Sequence, residues 1–349
     1  MWVETISKGY SAVGPTSMQV VTLLLTVGGQ HRHKFQIFAL CPSIPFSYLT
    51  ISVSLTRAIH RGTTETMDTD SQLAVKGASL SYRTIGSGPA LVLIPGGNGT
   101  AIFYESLAQA LSSRFQVTIY DRRGFHRSPV YNSGTAPTGN TTMRIHAEDL
   151  AALISHVSPQ GPASLFTCSG SAAIATELLS YKPYLVHRII LHEPLFISLL
   201  PSSLQERTKT TGREVMKAYK NRGIGPANKL LMPLVHGAAD WRRFKKTETC
   251  NRLASLSANN MIFYFENELP ELVEYNVDET QLAQFRDKFV LFRGSDLDPE
   301  PPSTSVRRLA EALQITLTSI QGGHSAYVTN VGETANAVIH ALLYPTSKI

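Results

Sequence analysis

Ser169 is the side chain around which chemistry can be built in this chain. It lies in Ala163-Ser-Leu-Phe-Thr-Cys-Ser-Gly-Ser-Ala-Ala-Ile-Ala175, where the apolar run Ala163 to Thr167 meets small residues. The helical pattern Ala172-Ala-Ile-Ala-Thr-Glu-Leu-Leu follows directly. A strand that turns sharply into a helix around a serine holds the hydroxyl out of the sheet. The helix start adds backbone N–H groups and a positive dipole end. The residues two before and two after such a nucleophile must be small, because strand and helix backbones pass closely there. Around Ser169 they are Thr167 and Ser171. Around Cys168 they are Phe166 and Gly170, and Phe166 is too large. Around Ser171 they are Ser169 and Ala173, which fit but delay the turn two residues past the strand. Ser169 is therefore favoured over Ser171 and Cys168; a strand–helix junction of small residues without chemistry is the plain alternative.

A serine hydroxyl needs a base to take its proton, and the base needs a third group to orient it. His324, in Gly322-Gly-His-Ser325, sits among glycines and a polar turn with no helical apolar face to bury it. The acid between them in sequence is Asp296 or Asp298. Counting from Gly294 favours Asp296, while Pro299 and the distance to the next helix also admit Asp298. The glycine-rich Pro95-Gly-Gly-Asn-Gly99 ends a buried strand, where backbone can approach a ligand closely. The N–H groups of Gly97 and Gly170 are expected to bind a developing oxyanion, with Asn98 at the same substrate-facing loop. The loop lacks the spacing of a phosphate loop or a dinucleotide fingerprint. In Asp121-Arg-Arg-Gly-Phe-His-Arg-Ser128, Asp121 and Arg123 are expected to brace the site, and His126 is a poor base on sequence order.

The elements that must position these groups alternate. Leu73 to Lys76 and Ser79 to Arg83 alternate apolar and polar residues around Gly77, as a hairpin does. Ala90-Leu-Val-Leu-Ile94 is a continuous apolar run, as in a strand covered on both faces. Helices are expected at Phe103–Leu111, Met143–Val157, Ser305–Leu313 and Val331–Leu343; strands are expected at Gln116–Tyr120, Val186–Leu191, Phe289–Phe292 and Ile315–Ile320. Strands alternating with helices imply an α/β fold, a mostly parallel sheet flanked by helices. Its functional groups lie on loops leaving the C-terminal strand ends, where Ser169, Asp296, Asp298 and His324 all fall. Residues 196–287 lose the alternation and read as an inserted helical lid, within which Phe263 and Phe265 are pocket or core aromatics. The core is then 67–195 plus 288–349.

Composition agrees with a globular, core-forming protein. The chain has 349 residues, 43% hydrophobic and 17% charged. Its net charge is +6, and residues 1–66, with five Lys/Arg against two Asp/Glu, hold half of that excess. The remainder is only mildly basic, which argues against a nucleic-acid partner. Arg242-Arg-Phe-Lys-Lys246 reads as a solvated helix face. Cys41, Cys168 and Cys250 are too few and too far apart for a disulfide framework or a metal set. A reducing, cytoplasmic location fits, although residues 1–66 leave it open. Within them Val20 to Val27 is apolar for eight residues, far short of the roughly 20 that span a bilayer. Glu4 and a barely basic front end argue against a secretory signal, and His31-Arg-His-Lys34 reads as a polar turn. Strand pattern begins just after Met67, so residues 1–66 are expected to be a loosely ordered extension outside the functional protein. No metal, nucleotide or flavin motif is present, so no cofactor is expected; a homodimer is left open.

Together these motifs resemble the α/β-hydrolase fold superfamily over about residues 70–345. Pro95-Gly-Gly-Asn-Gly99 is similar to the family's oxyanion loop, with its usual His-Gly replaced by Pro-Gly. Tyr120-Asp-Arg-Arg-Gly-Phe-His-Arg-Ser128 is similar to its Asp-x-Arg-Gly-x-Gly-x-Ser segment, with His126 in a glycine's place. The spacing from Ser169 to Pro183 and the loop Gly322-Gly-His324 match as well. Within the superfamily the chain looks most like small microbial and fungal hydrolases with a Pro-Gly-Gly loop and a His-Glu-Pro step. The elbow departs from the family's Gly-x-Ser-x-Gly at Thr167 and Ser171. Because some members carry the acid at the end of the preceding strand, the resemblance also admits Glu193. It implies a serine hydrolase of a small ester, thioester or related acyl compound. Cofactor-free lyase, C–C hydrolase or perhydrolase chemistry, or ligand binding without turnover, remain as alternatives on the same fold.

Overall fold

The computed structural model describes residues 70–131, 142–256, 258–296 and 301–344, together with the backbone of three strands nearer the N-terminus. Those strands, β1 (Ile6–Lys8), β2 (Gln19–Val27) and β3 (His31–Ala39), form an antiparallel sheet in the order β1-β2-β3. They belong to a compact unit of their own, Met1–Thr64. The apolar run Val20 to Val27 is thus a strand paired along its length with His31 to Phe38. The rest of residues 1–66 lies outside the described residues.

The second unit, Glu65–Ile349, is built on an eight-stranded sheet. Its strands are β4 (Ser71–Val75), β5 (Ala78–Ile85), β6 (Ala90–Ile94), β7 (Gln116–Tyr120), β8 (Ala163–Cys168), β9 (Val186–His192), β10 (Phe289–Gly294) and β11 (Leu317–Ile320). The spatial order is β11-β10-β9-β8-β6-β7-β5-β4. The five pairs from β11 to β7 are parallel, and the β4–β5 hairpin adds an antiparallel edge.

The helices between strands are α1 (Glu105–Leu111), α2 (Thr142–Val157) and α3 (Ser171–Tyr181). The pleat of β6 divides the core, because successive side chains point to opposite faces. Val92 and Ile94 pack with α2 and α3, whereas Leu91 and Leu93 pack with α1. Both faces are therefore buried, which is why the central strands are continuous apolar runs rather than alternating ones.

Between β9 and β10 the chain makes a helical insertion. It comprises α4 (Ser202–Arg222), α5 (Ile224–Val235), α6 (Ala238–Phe244), α7 (Glu248–Ala254), α8 (Asn259–Phe263), a π-helical turn (Tyr264–Glu268), α9 (Leu269–Glu274) and α10 (Glu279–Ala283). It has a core of its own, Val215, Leu231, Phe265, Leu269 and Val273 among others, which Phe125 of the body joins. Helices α11 (Pro301–Leu313), α12 (Ala326–Thr329) and α13 (Val331–Leu343) complete the fold. Helix α11 starts four residues before the expected Ser305. Pro301 and Pro302 occupy its first turn, where a missing N–H costs no helical bond. No helix among the described residues is long and apolar enough to cross a membrane.

Candidate active site

The elbow stands where β8 runs into α3. Ser169 has φ +61°, the left-handed region that a residue with a side chain rarely adopts. Backbone bonds on both sides hold it there: Ser169 N–H donates to the His192 carbonyl at 3.3 Å, and its own carbonyl accepts from Ala172 and Leu195 N–H. Ser169 is half-buried, as is Gly170, whereas Thr167, Cys168 and Ser171 are buried. Ser171 is buried and its hydroxyl is committed to the turn, accepting from Cys168 N–H at 3.1 Å and lying 2.8 Å from the Cys168 carbonyl. The serine that replaces the family glycine therefore ties the elbow together. Thr167 is fully buried, its hydroxyl aimed at the Ile190 carbonyl of β9. Of the three candidates, only Ser169 has the strained backbone and the free position.

His324 arrives on the loop after β11 and is buried. Its Nδ1 bonds a carboxylate at 3.0 Å, and that carboxylate is Glu193, not Asp296. Glu193 ends β9 in the strand pair next to β8, with φ +43°, and also accepts from Gly294 N–H at 2.8 Å. His192, one residue earlier, bonds the His324 carbonyl through Nε2 at 3.2 Å. The His-Glu-Pro step thus holds the base by both its backbone and its ring. Asp296 lies beside Gly323, but its carboxylate pairs with Arg243 of α6 and makes no bond to His324. The count from Gly294 points to Asp296, whereas the carboxylate that meets His324 Nδ1 is Glu193, which follows the adjacent strand β9. Asp298 lies outside the described residues.

Burial opposes ionisation of Glu193, but the His324 hydrogen bond, His192 and Gly294 N–H outweigh it and hold the carboxyl below its ordinary value. Burial likewise opposes protonation of His324; the Cys168 sulfur and the Glu193 carboxylate reverse that and raise it well above an ordinary histidine. His324 Nε2 faces Cys168 Sγ at 3.9 Å, the residue adjoining Ser169. The insertion contributes a second pair, His236 Nδ1 to Asp240 at 2.7 Å, and Asp240 also accepts from Ser325 N–H at 3.1 Å. The His236 ring stands edge-on to His324, centroids 5.4 Å apart.

Gly97 and Gly170 face the insertion. A Cβ on Gly97 would lie 3.3 Å from the Tyr264 ring, and one on Gly170 would lie 2.9 Å from Leu272. Both line a tight crevice that leaves no room for a water molecule. The expected pocket residues Asn98 and Phe263 are used otherwise. Asn98 accepts from the Asn260 amide at 2.9 Å, and Phe263 packs edge-to-face on Phe125 at 5.1 Å. Both join the insertion to the body, and Tyr264 is the ring that meets Gly97.

A model of the α/β hydrolase fold matches residues 89–220. The uncharacterized hydrolase YraK of Bacillus subtilis is 27% identical over 259 residues, 73% of this chain and 89% of its own. A thermophilic esterase from Thermogutta terrifontis, seen with malate bound, superposes with TM-score 0.60 at 20% identity, covering 78% of this chain and 97% of its own. A bromoperoxidase from Bacillus anthracis gives 0.61 at 16%, covering 79% and 100%. The chain has the α/β-hydrolase fold, and residues 89–220 are the part that matches the family model. The matched segment and the hydrolase-named relative support a hydrolase enzyme.

The charged loop after β7 is a brace. Asp121, fully buried, accepts from Thr100 Oγ1 and Ala101 N–H at 2.9 and 2.8 Å and pairs with Arg127 and His126. Arg123 makes two 2.6 Å bonds to Asp149. His126 takes φ +43° where the family pattern has glycine. Sequence reasoning did not find the insertion's own contributions, Tyr264, Leu272, Asp240, His236 and Glu268. A helical stretch rich in Glu and aromatics carries no signal of which residue turns inward. The doublet Arg122-Arg123 was visible, but not that its members face opposite partners.

Proposed function

We propose that the protein is a serine hydrolase of small acyl esters, with Ser169 as nucleophile, His324 as base and Glu193 as the orienting acid. Asp296 has no part in this reading. The observation that carries it is the strained Ser169 at φ +61°, one residue from the sulfur that the Glu193-bound His324 now faces. Rotation of the imidazole from Cys168 towards the adjoining Ser169 brings Nε2 to the hydroxyl. Ser169 Oγ then forms a bond to the acyl carbon as its proton passes to His324 Nε2. Glu193 stabilises the imidazolium through Nδ1–H. The oxyanion is received by Gly97 and Gly170 N–H. Collapse of the tetrahedral adduct breaks the bond to the alcohol, which leaves with the proton from Nε2. Water, deprotonated by the same nitrogen, then releases the acid and restores Ser169.

The helical insertion acts as a lid in this reading, since Tyr264 and Leu272 stand against the two oxyanion glycines. Labelling with a fluorophosphonate, followed by peptide mapping, tests the assignment. A labelled peptide whose modification maps to Ser169, together with turnover of a phenyl-ester panel, is expected. Failure of both, or full turnover by Ser169→Ala, overturns it.

A further inference from the structure

Three ionisable side chains that the acyl chemistry does not use are buried together beside the oxyanion loop. Arg122 follows β7, His146 comes from α2, and Glu268 ends the π-helical turn of the lid; they are 2%, 1% and 1% exposed. The Glu268 carboxylate takes both terminal guanidinium nitrogens of Arg122, Nη2 at 2.9 Å, and lies 2.6 Å from His146 Nε2. Arg122 Nη1, which can only donate, lies 3.2 Å from the same Nε2, but the closer Glu268 oxygen favours the proton on Nε2 and a bare Nδ1. Neither His146 Nδ1 nor Arg122 Nε has a hydrogen-bond partner.

The arrangement is a costly one. Burying an ion pair with unpaired nitrogens gives no more stability than apolar packing of the same volume. π-Helical turns of this kind concentrate at functional sites. The placement is specific as well. Arg122 Nη2 donates to the Gly96 carbonyl at 2.8 Å, and that carbonyl belongs to the same peptide unit as the Gly97 N–H. Arg122 and Glu268 line the crevice with Gly97 and Gly170, and Ile174 and Leu272 supply apolar walls. Arg122 and His146 belong to the body, whereas Glu268 belongs to the lid. When the lid lifts, the anion leaves and the two donors stay.

We propose that Arg122 and His146 form a carboxylate-binding subsite, that Glu268 fills it in the closed lid, and that the acyl substrate carries a carboxylate which takes Glu268's place. This rests on Ser169 being the nucleophile. The length of the acyl part follows from the peptide between the two binding points. Across one peptide unit and its two hydrogen bonds, the guanidinium and the oxyanion stand roughly 6–8 Å apart. A half-ester of a dicarboxylic acid with about four to six carbons spans that gap.

The test compares monophenyl adipate with phenyl hexanoate, which match in length and differ in the terminal charge. The wild-type enzyme is expected to have the higher kcat/KM on the charged ester. In Arg122→Gln the charged-to-neutral ratio of kcat/KM is expected to fall about tenfold to hundredfold, the range for losing a hydrogen bond to a charged group. A wild-type preference for the neutral ester, or a ratio unchanged in Arg122→Gln, overturns the subsite and leaves Arg122 as a lid clasp. Should that variant fail to fold, the wild-type protein suffices. Adipate is expected to protect Ser169 from fluorophosphonate labelling where adipamide does not, and equal protection by both overturns the subsite. Labelling and neutral-ester turnover without charge preference would sink this inference alone. Absence of labelling and of turnover on both esters would sink the serine-hydrolase reading with it.

Discussion

Replacing Glu193 by Gln separates the two candidate acids. The carboxylate accepts from His324 Nδ1 at 3.0 Å and from Gly294 N–H at 2.8 Å. The amide oxygen of Gln can keep the Gly294 bond. Its NH2 group then faces Nδ1 and favours the tautomer with the proton on Nε2, which cannot accept from Ser169. The variant also loses the charge that stabilises the imidazolium. A unit charge pair at that 3.0 Å separation is worth about 5 kcal/mol in an effective dielectric of about 20. That converts to a loss of roughly 10³–10⁴ in kcat. The matching control is Asp296→Asn, whose carboxylate is paired with half-exposed Arg243 and not with His324; it is expected to stay within about threefold of wild type. Steady-state kinetics on a phenyl ester with both variants, after circular dichroism shows each folded, decides the matter. Near-normal turnover in Glu193→Gln, or collapse in Asp296→Asn, would refute the geometry argued here. The pH profile gives a second reading. His324 must be neutral to act as base, so kcat/KM should rise with pH through a value above the ordinary 6.5. In Glu193→Gln that limb should move to lower pH.

Other outcomes follow from the same structure. Ser169→Gly relieves a left-handed residue that only glycine adopts freely; it should abolish turnover while raising stability by about 1 kcal/mol, read from urea melts. Cys168→Ala should keep fluorophosphonate labelling, whereas Ser169→Ala should lose it, which distinguishes the residue His324 faces from the residue it serves. Burial lowers the proton affinity of His146, His192 and His236. Their contribution to stability is present above the unfolded value of 6.5 and is lost as pH falls below it, because only the unfolded chain then takes up those protons. His324, shifted the other way, offsets one of the three. Tm should therefore fall between pH 7 and pH 5. A chain beginning at Met67 should keep fold and ester turnover, since the compact unit that holds the sheet starts at Glu65; loss of folding in that variant would refute the separation.

The order of elements was legible because burial on both faces leaves a plain record. Leu91 to Ile94 are apolar in unbroken succession, and the helices beside them repeat at helical spacing. Ser169 was legible for a local reason as well, since small residues on either side of a serine between strand and helix describe one backbone turn. His324 could be read from its glycines. The same chain said little about residues 196–287 beyond their helicity, because a helix that packs over a site and a helix that packs on its neighbour use the same amphipathic pattern. Phe263 shows the consequence. It was a plausible pocket ring, and it packs on Phe125 while the next residue, Tyr264, meets Gly97.

The sequence by itself determined the α/β alternation, the elbow and the candidate pair Ser169 and His324, because each depends on neighbours a few positions away. Only the tertiary structure decided which carboxylate meets the imidazole. Asp296 and Glu193 follow adjacent strands, β10 and β9, yet one carboxylate meets Arg243 and the other His324. Spacing along the chain holds no information about that choice, because the pairing of β9 between β8 and β10 brings Glu193 to the histidine loop.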